Sequence, residues 1–232
     1  MNGHTIKRVP FFVLVFLCLS LALQIYFSGR SQNRPSRFEQ IENPPSFITL
    51  RLLSLAEANA IAKLAMLRIQ TRDQASLDEL DYSNLTAWLG RIIELDPRSN
   101  YALFSASELY AEVENPQKQR VMLEFIYHEF LKNPNQHWKA MTRACLLARH
   151  SQKDNDLAKK YARAIRLYAI GAAVPSWAKQ MEIFLLEDLN ELAQTKIILS
   201  ALLQSGEIKD QHERLFLEQK LATLERKMTE KK

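Results

Sequence analysis

The residues in this chain that could do chemistry are few, and their spacing works against them. His128-Glu129 opens the His-Glu-x-x-His pattern, in which two imidazoles one helical turn apart hold zinc and the glutamate acts as general base. The second imidazole would fall at position 132, which is Lys132. Glu124 and His128 share a helical face, but a di-iron bundle needs repeated Glu-x-x-His units and no second pair accompanies them. Cys145 and His150 are five positions apart, which turns them to different faces of one helix. Glu187, Asp188 and Glu191 make an acidic group near a helix junction, where a solvated face is the simpler reading. The chain has five glycines, none clustered, so neither a phosphate-cradling loop nor a dinucleotide fingerprint can be built in its usual form. The expectation is a protein without catalytic residues, cofactor or metal.

The elements that would position any site are helices. Apolar residues make up 47% of the 232 residues, and the pattern repeats at helical rather than strand spacing. Leu85, Trp88, Leu89, Ile92, Ile93 and Leu95 fall on one face. Pro97 ends that helix, because proline disfavours the α conformation in the residue before it. Tyr101, Leu103, Phe104, Ala106, Leu109 and Tyr110 begin a second stripe. The spacing predicts helices over 82–95, 99–114, 116–132, 135–150, 154–170, 175–188, 191–204 and 210–227. Upstream, the Ala- and Leu-rich run from Ile48 to Gln70 has no Gly or Pro and predicts one long helix. Thr71 to Asp81 reads as a polar loop. Asn115 before Pro116 is a cap followed by proline at the first helical position, and Gly206 sits where a left-handed C-cap is wanted. Trp88, Trp138 and Trp177, at helical spacing among aliphatic neighbours, are expected in the core.

The N-terminus has a different character. After a short basic stretch, 1–8, residues Val9 to Phe27 are apolar except Pro10, Ser20 and Gln24. At a rise of ~1.5 Å per residue they span roughly 28 Å, close to a hydrocarbon core of about 30 Å. Lys7 and Arg8 flank one end, and Arg30, Arg34 and Arg37 the other. The apolar run continues past Ser20 and Ala22, where a signal peptide would be cut, so we expect an uncleaved signal-anchor over 9–27. A polar, proline-containing linker over 28–45 then leads to a helical domain over 46–232. The expected setting is a bacterial inner membrane, with that domain outside the cytoplasm.

Most of the +5 net charge lies beside the apolar run, at Lys7, Arg8, Arg30, Arg34 and Arg37, and the remainder is nearly balanced. A nearly neutral domain has no electrostatic footprint for nucleic acid. Of the two cysteines, Cys18 lies in the apolar run, which argues against pairing with Cys145.

Pro97 and Pro134 are 37 apart, and Trp138 and Trp177 are 39 apart. A two-helix unit of that length resembles the tetratricopeptide repeat and related α-solenoids. In the last unit Trp177 takes the first aromatic position, Phe184 the tyrosine position and Ala193 the small-residue position. Gln180 and Met181 stand in place of Leu-Gly, and Ile197 in place of the second aromatic. Tyr110 fits in the unit after Pro97, and Trp138 in the middle unit. The resemblance covers roughly 82–205. It implies an all-α fold of helical hairpins in which the first helix of each pair lines a binding groove. Counted from the matched aromatics, that groove would present Tyr101, Phe104 and Glu108, then Lys139 and Arg143, then Glu182. Lys139 and Arg143 are one turn apart and would hold a carboxylate together. The implied function is a membrane-anchored scaffold or adaptor for a protein or peptide partner, for instance in assembling an envelope complex. The alternative is a permanent accessory subunit of a larger membrane complex.

Overall fold

The structure, a computed structural model, describes residues 11–31, 41–54, 57–72, 77–206 and 208–230. The expected basic stretch 1–8 lies outside them, as do Val9 and Pro10 and residues 32–40 of the expected linker. All regular structure among the described residues is helical. The chain divides into two compact units, Met1–Glu39 and Gln40–Lys232.

The first unit holds helix α1, Phe11–Ser31, of 21 residues. It runs past Phe27, four residues into the expected linker. The described side chains of α1 are those of residues 15–25, and all are exposed. Among the described residues no helix is long and apolar enough to cross a membrane.

The second unit begins with an extended segment, 41–46, and this part of the expected linker is docked rather than free. Ile41 is buried, Asn84 Nδ2 donates to its carbonyl at 2.8 Å, and Trp88 Nε1 donates to the Glu42 carbonyl at 2.7 Å. The long helix expected from Ile48 to Gln70 is two helices, α2 (Phe47–Leu53) and α3 (Ala58–Arg72). Ser54 separates them. Its hydroxyl donates back to the Arg51 carbonyl at 2.7 Å and the residue is buried, so its side chain competes locally with the helical ladder.

From Tyr82 the expected punctuation holds. Asp81 accepts from the Ser83 amide at 2.9 Å and starts α4, Tyr82–Leu95. Asp96, just before Pro97, has left the helical region (φ −132°, ψ 76°), and α5 starts at Tyr101. Asn115 accepts from the amides of Gln117 and Lys118 at 3.0 and 3.2 Å and starts α6, Pro116–Lys132. Helix α7 is Pro134–His150. Asp154 caps α8, Asn155–Tyr168, by accepting from Leu157 N at 2.9 Å. Gly206 has φ +72°, a conformation that glycine adopts without steric cost.

Two expected helices are interrupted. Helix α5 stops at Glu108, with a 3₁₀ turn over Tyr110–Glu112 instead of a continuation to Glu114. The reason is tertiary: the Tyr82 hydroxyl takes the Tyr110 carbonyl at 2.7 Å and Gln119 Nε2 takes that of Ala111 at 2.7 Å. The stretch after Pro175 splits at Gln180 into α9 (Ser176–Lys179) and α10 (Met181–Asp188). Gln180 is buried and its amide donates to Glu213. The chain ends with α11 (Leu192–Gln204) and α12 (Gln211–Glu230).

One apolar core runs from Ile41 to Leu185 of α10, and a smaller one, built on Ile183, Leu199 and Leu217, joins α10, α11 and α12. Buried alanines at 102, 106, 140, 144, 148, 158, 162 and 178 let the helix axes approach closely. The last unit departs from the expected pattern. Ala193 is exposed and Ile197 is 70% exposed, while Thr195 and Leu199 carry the interface. Its helix packs on a face two positions away.

Candidate functional site

Helices α5 and α7 lie side by side, and two contacts fix their register. At one end Gln136 Nε2 donates to Asn100 Oδ1 at 2.9 Å and to the Pro97 carbonyl at 2.8 Å. At the other, Arg143 Nε lies 3.3 Å from a Glu108 carboxylate oxygen, and its terminal nitrogen pairs with Glu112. Both contacts run from α5 or its end to α7 with nearly the same offset in sequence, so the helices are parallel and Phe104 lies alongside Lys139. The next neighbour is α9, where Trp138 and Trp177 meet edge to face with centroids 5.5 Å apart. Asn135 Oδ1 accepts from Gly171 N at 2.7 Å and holds the approach to that helix.

The face so formed carries exposed aromatics: Tyr101 at 52%, Phe104 at 58% and Trp177 at 55%. Trp138 is half-buried between them. The Trp177 result corrects the expectation of a core residue, since its partner ring covers only one edge. Lys139 is exposed, with its ammonium 5.6 Å from the Trp138 ring centroid, and pairs with no carboxylate among the described residues. Tyr101 sits at the α3 edge of this face. Its hydroxyl accepts from Gln70 Nε2 at 2.7 Å, and it borders a cavity of about 150 Å³ lined also by Met66, Ile92 and Ala102.

The structure thus brings five of the six expected groove residues together: Tyr101, Phe104, Glu108, Lys139 and Arg143. It does not bring Lys139 and Arg143 into one carboxylate-binding pair, because Arg143 is already held by Glu108 and Glu112. Glu182 belongs elsewhere. It is 6% exposed and its carboxylate accepts from Arg166 Nε of α8 at 2.5 Å, within a concavity bounded by Lys159, Lys160, Arg163 and Tyr127. The sequence count missed this because the break at Gln180 rotates α10 relative to α9.

Most of the carboxylates and the thiol considered for chemistry have structural partners. Glu129 is buried against Lys132 at 2.6 Å, its carbonyl meets His137 Nδ1 at 2.8 Å, and the adjacent His128 points to solvent. Glu124 pairs with Arg120 at 3.2 Å. Cys145 is buried with its thiol 3.3 Å from the Ala158 carbonyl, and burial pushes its pKa up to about 12, so the nucleophilic thiolate is withheld. The acidic junction is a clamp: Asp188 pairs with Arg149 of α7 at 2.8 Å, Glu191 with Lys159 of α8 at 2.8 Å, and Glu187 with Lys220 and Lys227 of α12. Burial raises the Glu187 pKa, but the two ammonium groups outweigh it and the net shift is downward. Among the described residues no cluster of His, Cys, Asp and Glu is arranged to hold a metal ion.

Comparison with protein-family models, with characterised proteins and with solved structures found no match to this chain.

Proposed function

We propose that this protein is a membrane-anchored helical adaptor that docks a segment of a partner protein on the face shared by α5, α7 and α9. The observation that carries the reading is the row of exposed aromatics, Tyr101, Phe104 and Trp177, around the ammonium of Lys139, which pairs with no carboxylate among the described residues. Exposed aromatic side chains set on rigid helices supply large contact area at low entropic cost, and they are typical anchors of protein interfaces. The partner chemistry that fits is an apolar or aromatic side chain followed by a carboxylate.

Three features support a helical-repeat scaffold of the tetratricopeptide type beneath that face. Contacts recur between residues about one unit apart, at Asn100–Gln136 and Asn135–Gly171, each 36 residues. A basic side chain at the fifth position of α6, Arg120, pairs with the N-cap of α8. Lys159, at the fifth position of α8, pairs with Glu191 at the N-cap of α11. The anchor rests on the apolar run 9–27 with its basic flanks, and on the helical conformation of 11–31. We place the protein in a bacterial inner membrane with the helical unit outside the cytoplasm, where it serves assembly rather than catalysis.

The test is capture from detergent-solubilised native membranes with the full-length protein, comparing the parent with Phe104→Ala and Lys139→Glu. Specific loss of the same partner in both variants, at unchanged melting temperature, supports the reading. Undiminished capture by both would remove this face as the docking site.

A further inference from the structure

The short helix α2 turns most of its apolar side chains outward. Ile48, Leu52 and Leu53 are 70%, 72% and 64% exposed, and only Leu50 is buried. Ile48 and Leu52, one turn apart, border an open concavity of about 760 Å³ whose other walls are Phe47, Arg51, Ser54, Ala58, Glu94 and Leu95. Scattered surface leucines need no explanation, but three in seven residues, with an arginine between them, make a contiguous apolar wedge.

The path of the chain limits what can cover it. Residues 41–46 are docked along α4 through the contacts of Ile41 with Asn84 and of Glu42 with Trp88. Nine residues, 32–40, separate α1 from this docked segment, and a chain of that length reaches at most roughly 32 Å. Trp88 and Leu95, which mark the docked tether and the wall of the concavity, are about 10 Å apart along α4. On the anchor reading above, on which this inference rests, so short a connection leaves α2 within reach of the bilayer.

The charges near the wedge suit an anionic surface. The Arg51 guanidinium lies 5.9 Å from the Phe47 ring centroid and that of Arg68 5.9 Å from the Trp88 ring, and neither pairs with a carboxylate among the described residues. Arg30, Arg34 and Arg37 precede the docked segment in the sequence. Glu94, the acid that borders the concavity, is neutralised by Arg91 at 2.7 Å. Helices that lie in the membrane interface combine these features, with leucine and phenylalanine in the acyl boundary and arginine at the phosphates.

We infer that α2 is a second membrane contact: Ile48, Leu52 and Leu53 enter the headgroup–acyl boundary of an anionic bilayer, and Arg51 and Arg68 meet the lipid phosphates. The contact fixes the orientation of the helical unit on the membrane.

The test uses the full-length protein in vesicles of phosphatidylethanolamine with about one-third phosphatidylglycerol. Single spin labels are placed through Ile48→Cys, Leu52→Cys, Leu21→Cys or Gln219→Cys in a background of Cys18→Ala and Cys145→Ala. The readout is collision with apolar oxygen against a water-soluble nickel chelate. The expected result is a several-fold higher oxygen-to-nickel ratio at 48 and 52 than at the α12 control, 219. A lipid signature at 21 with an aqueous one at 48 and 52 overturns this inference and leaves the anchor standing. An aqueous signature at all three overturns both. Labels at 48 and 52 shielded from both reagents would place a protein surface, such as a second copy, over the wedge and also overturn the inference.

Discussion

Arg120 Nη1 lies 2.6 Å from Asp154 Oδ2, joining the first turns of α6 to the N-cap of α8. The same carboxylate accepts from the Leu157 amide, so one side chain both starts a helix and ties it to an earlier one. Asp154→Ala should therefore cost about 1–2 kcal/mol, chiefly through the lost cap. The ion pair adds little because both partners are partly exposed. Asp154→Asn, which keeps a capping oxygen, should cost less. Urea denaturation of the three proteins decides the order.

The same residue makes a pH prediction. The Leu157 amide, and then the Arg120 guanidinium, hold the Asp154 carboxyl below its ordinary value. A group whose folded pKa is depressed contributes stability at pH above its unfolded pKa, and that contribution is lost as pH falls through the folded pKa. Between about pH 4 and pH 2, Asp154→Asn should lose less stability than the parent. Parallel acid-limb slopes for the two proteins would show that Asp154 contributes nothing to the transition.

Gly171 tests the seam between α7 and α9. A Cβ built there would meet the Asn135 carboxamide at 2.8 Å, the group that accepts from the Gly171 amide. The Asn135 side chain can move aside only by giving up that bond, so Gly171→Ala should destabilise the unit by about 1–3 kcal/mol. Asn135→Ala should relieve the clash, and the double variant should be no worse than Asn135→Ala alone. Thermal melts of the three variants provide the comparison.

Glu182 provides a test of burial against charge. Its carboxylate is almost fully enclosed and its partner Arg166 is partly exposed. Arg166→Met should cost about 1–3 kcal/mol, below the range for a fully buried pair because water reaches the arginine. Glu182→Gln in that background should recover part of the loss. A double-mutant cycle with no coupling would mean that Arg166 contributes only packing.

What the sequence made legible here was local. The signals at Pro97, Asn115 and Pro116 act within one turn of themselves, and the helices start and stop where these residues require. Tertiary hydrogen bonds decided the rest. Nothing near Tyr110 announces that Tyr82 will take its carbonyl, and nothing near Gln180 announces Glu213. The candidate face shows the same division. Tyr101, Phe104 and Glu108, grouped by the count from the repeat resemblance, lie within the one short helix α5, and the structure keeps them together. Glu182 left the face because of the break at Gln180, and Trp177 stayed exposed because its neighbour covers one edge only. The exposure of α2 was hidden by a composition that suits a core helix equally well.

Arg143 and Lys139, equivalent by spacing, should behave differently. Arg143 is clamped between Glu108 of α5 and Glu112 just beyond it, so Arg143→Glu would set three carboxylates together at the seam between α5 and α7. Like charges at such distances repel, and the variant should lose about 1–2 kcal/mol of stability along with any binding. A loss of capture by that variant would therefore say nothing about recognition. Lys139 leans on the Trp138 ring and pairs with no acid among the described residues, so reversing its charge removes only a weak exposed contact. Lys139→Glu should leave the melting temperature within a degree or two of the parent while weakening capture of an acidic partner roughly tenfold or more at low salt. The weakening should shrink as salt screens the interaction. Measuring both variants for stability and for capture across a salt series separates a seam residue from a docking residue. Equal loss of stability in the two, or capture by Lys139→Glu that matches the parent at every salt concentration, would rule out a role for this ammonium in binding.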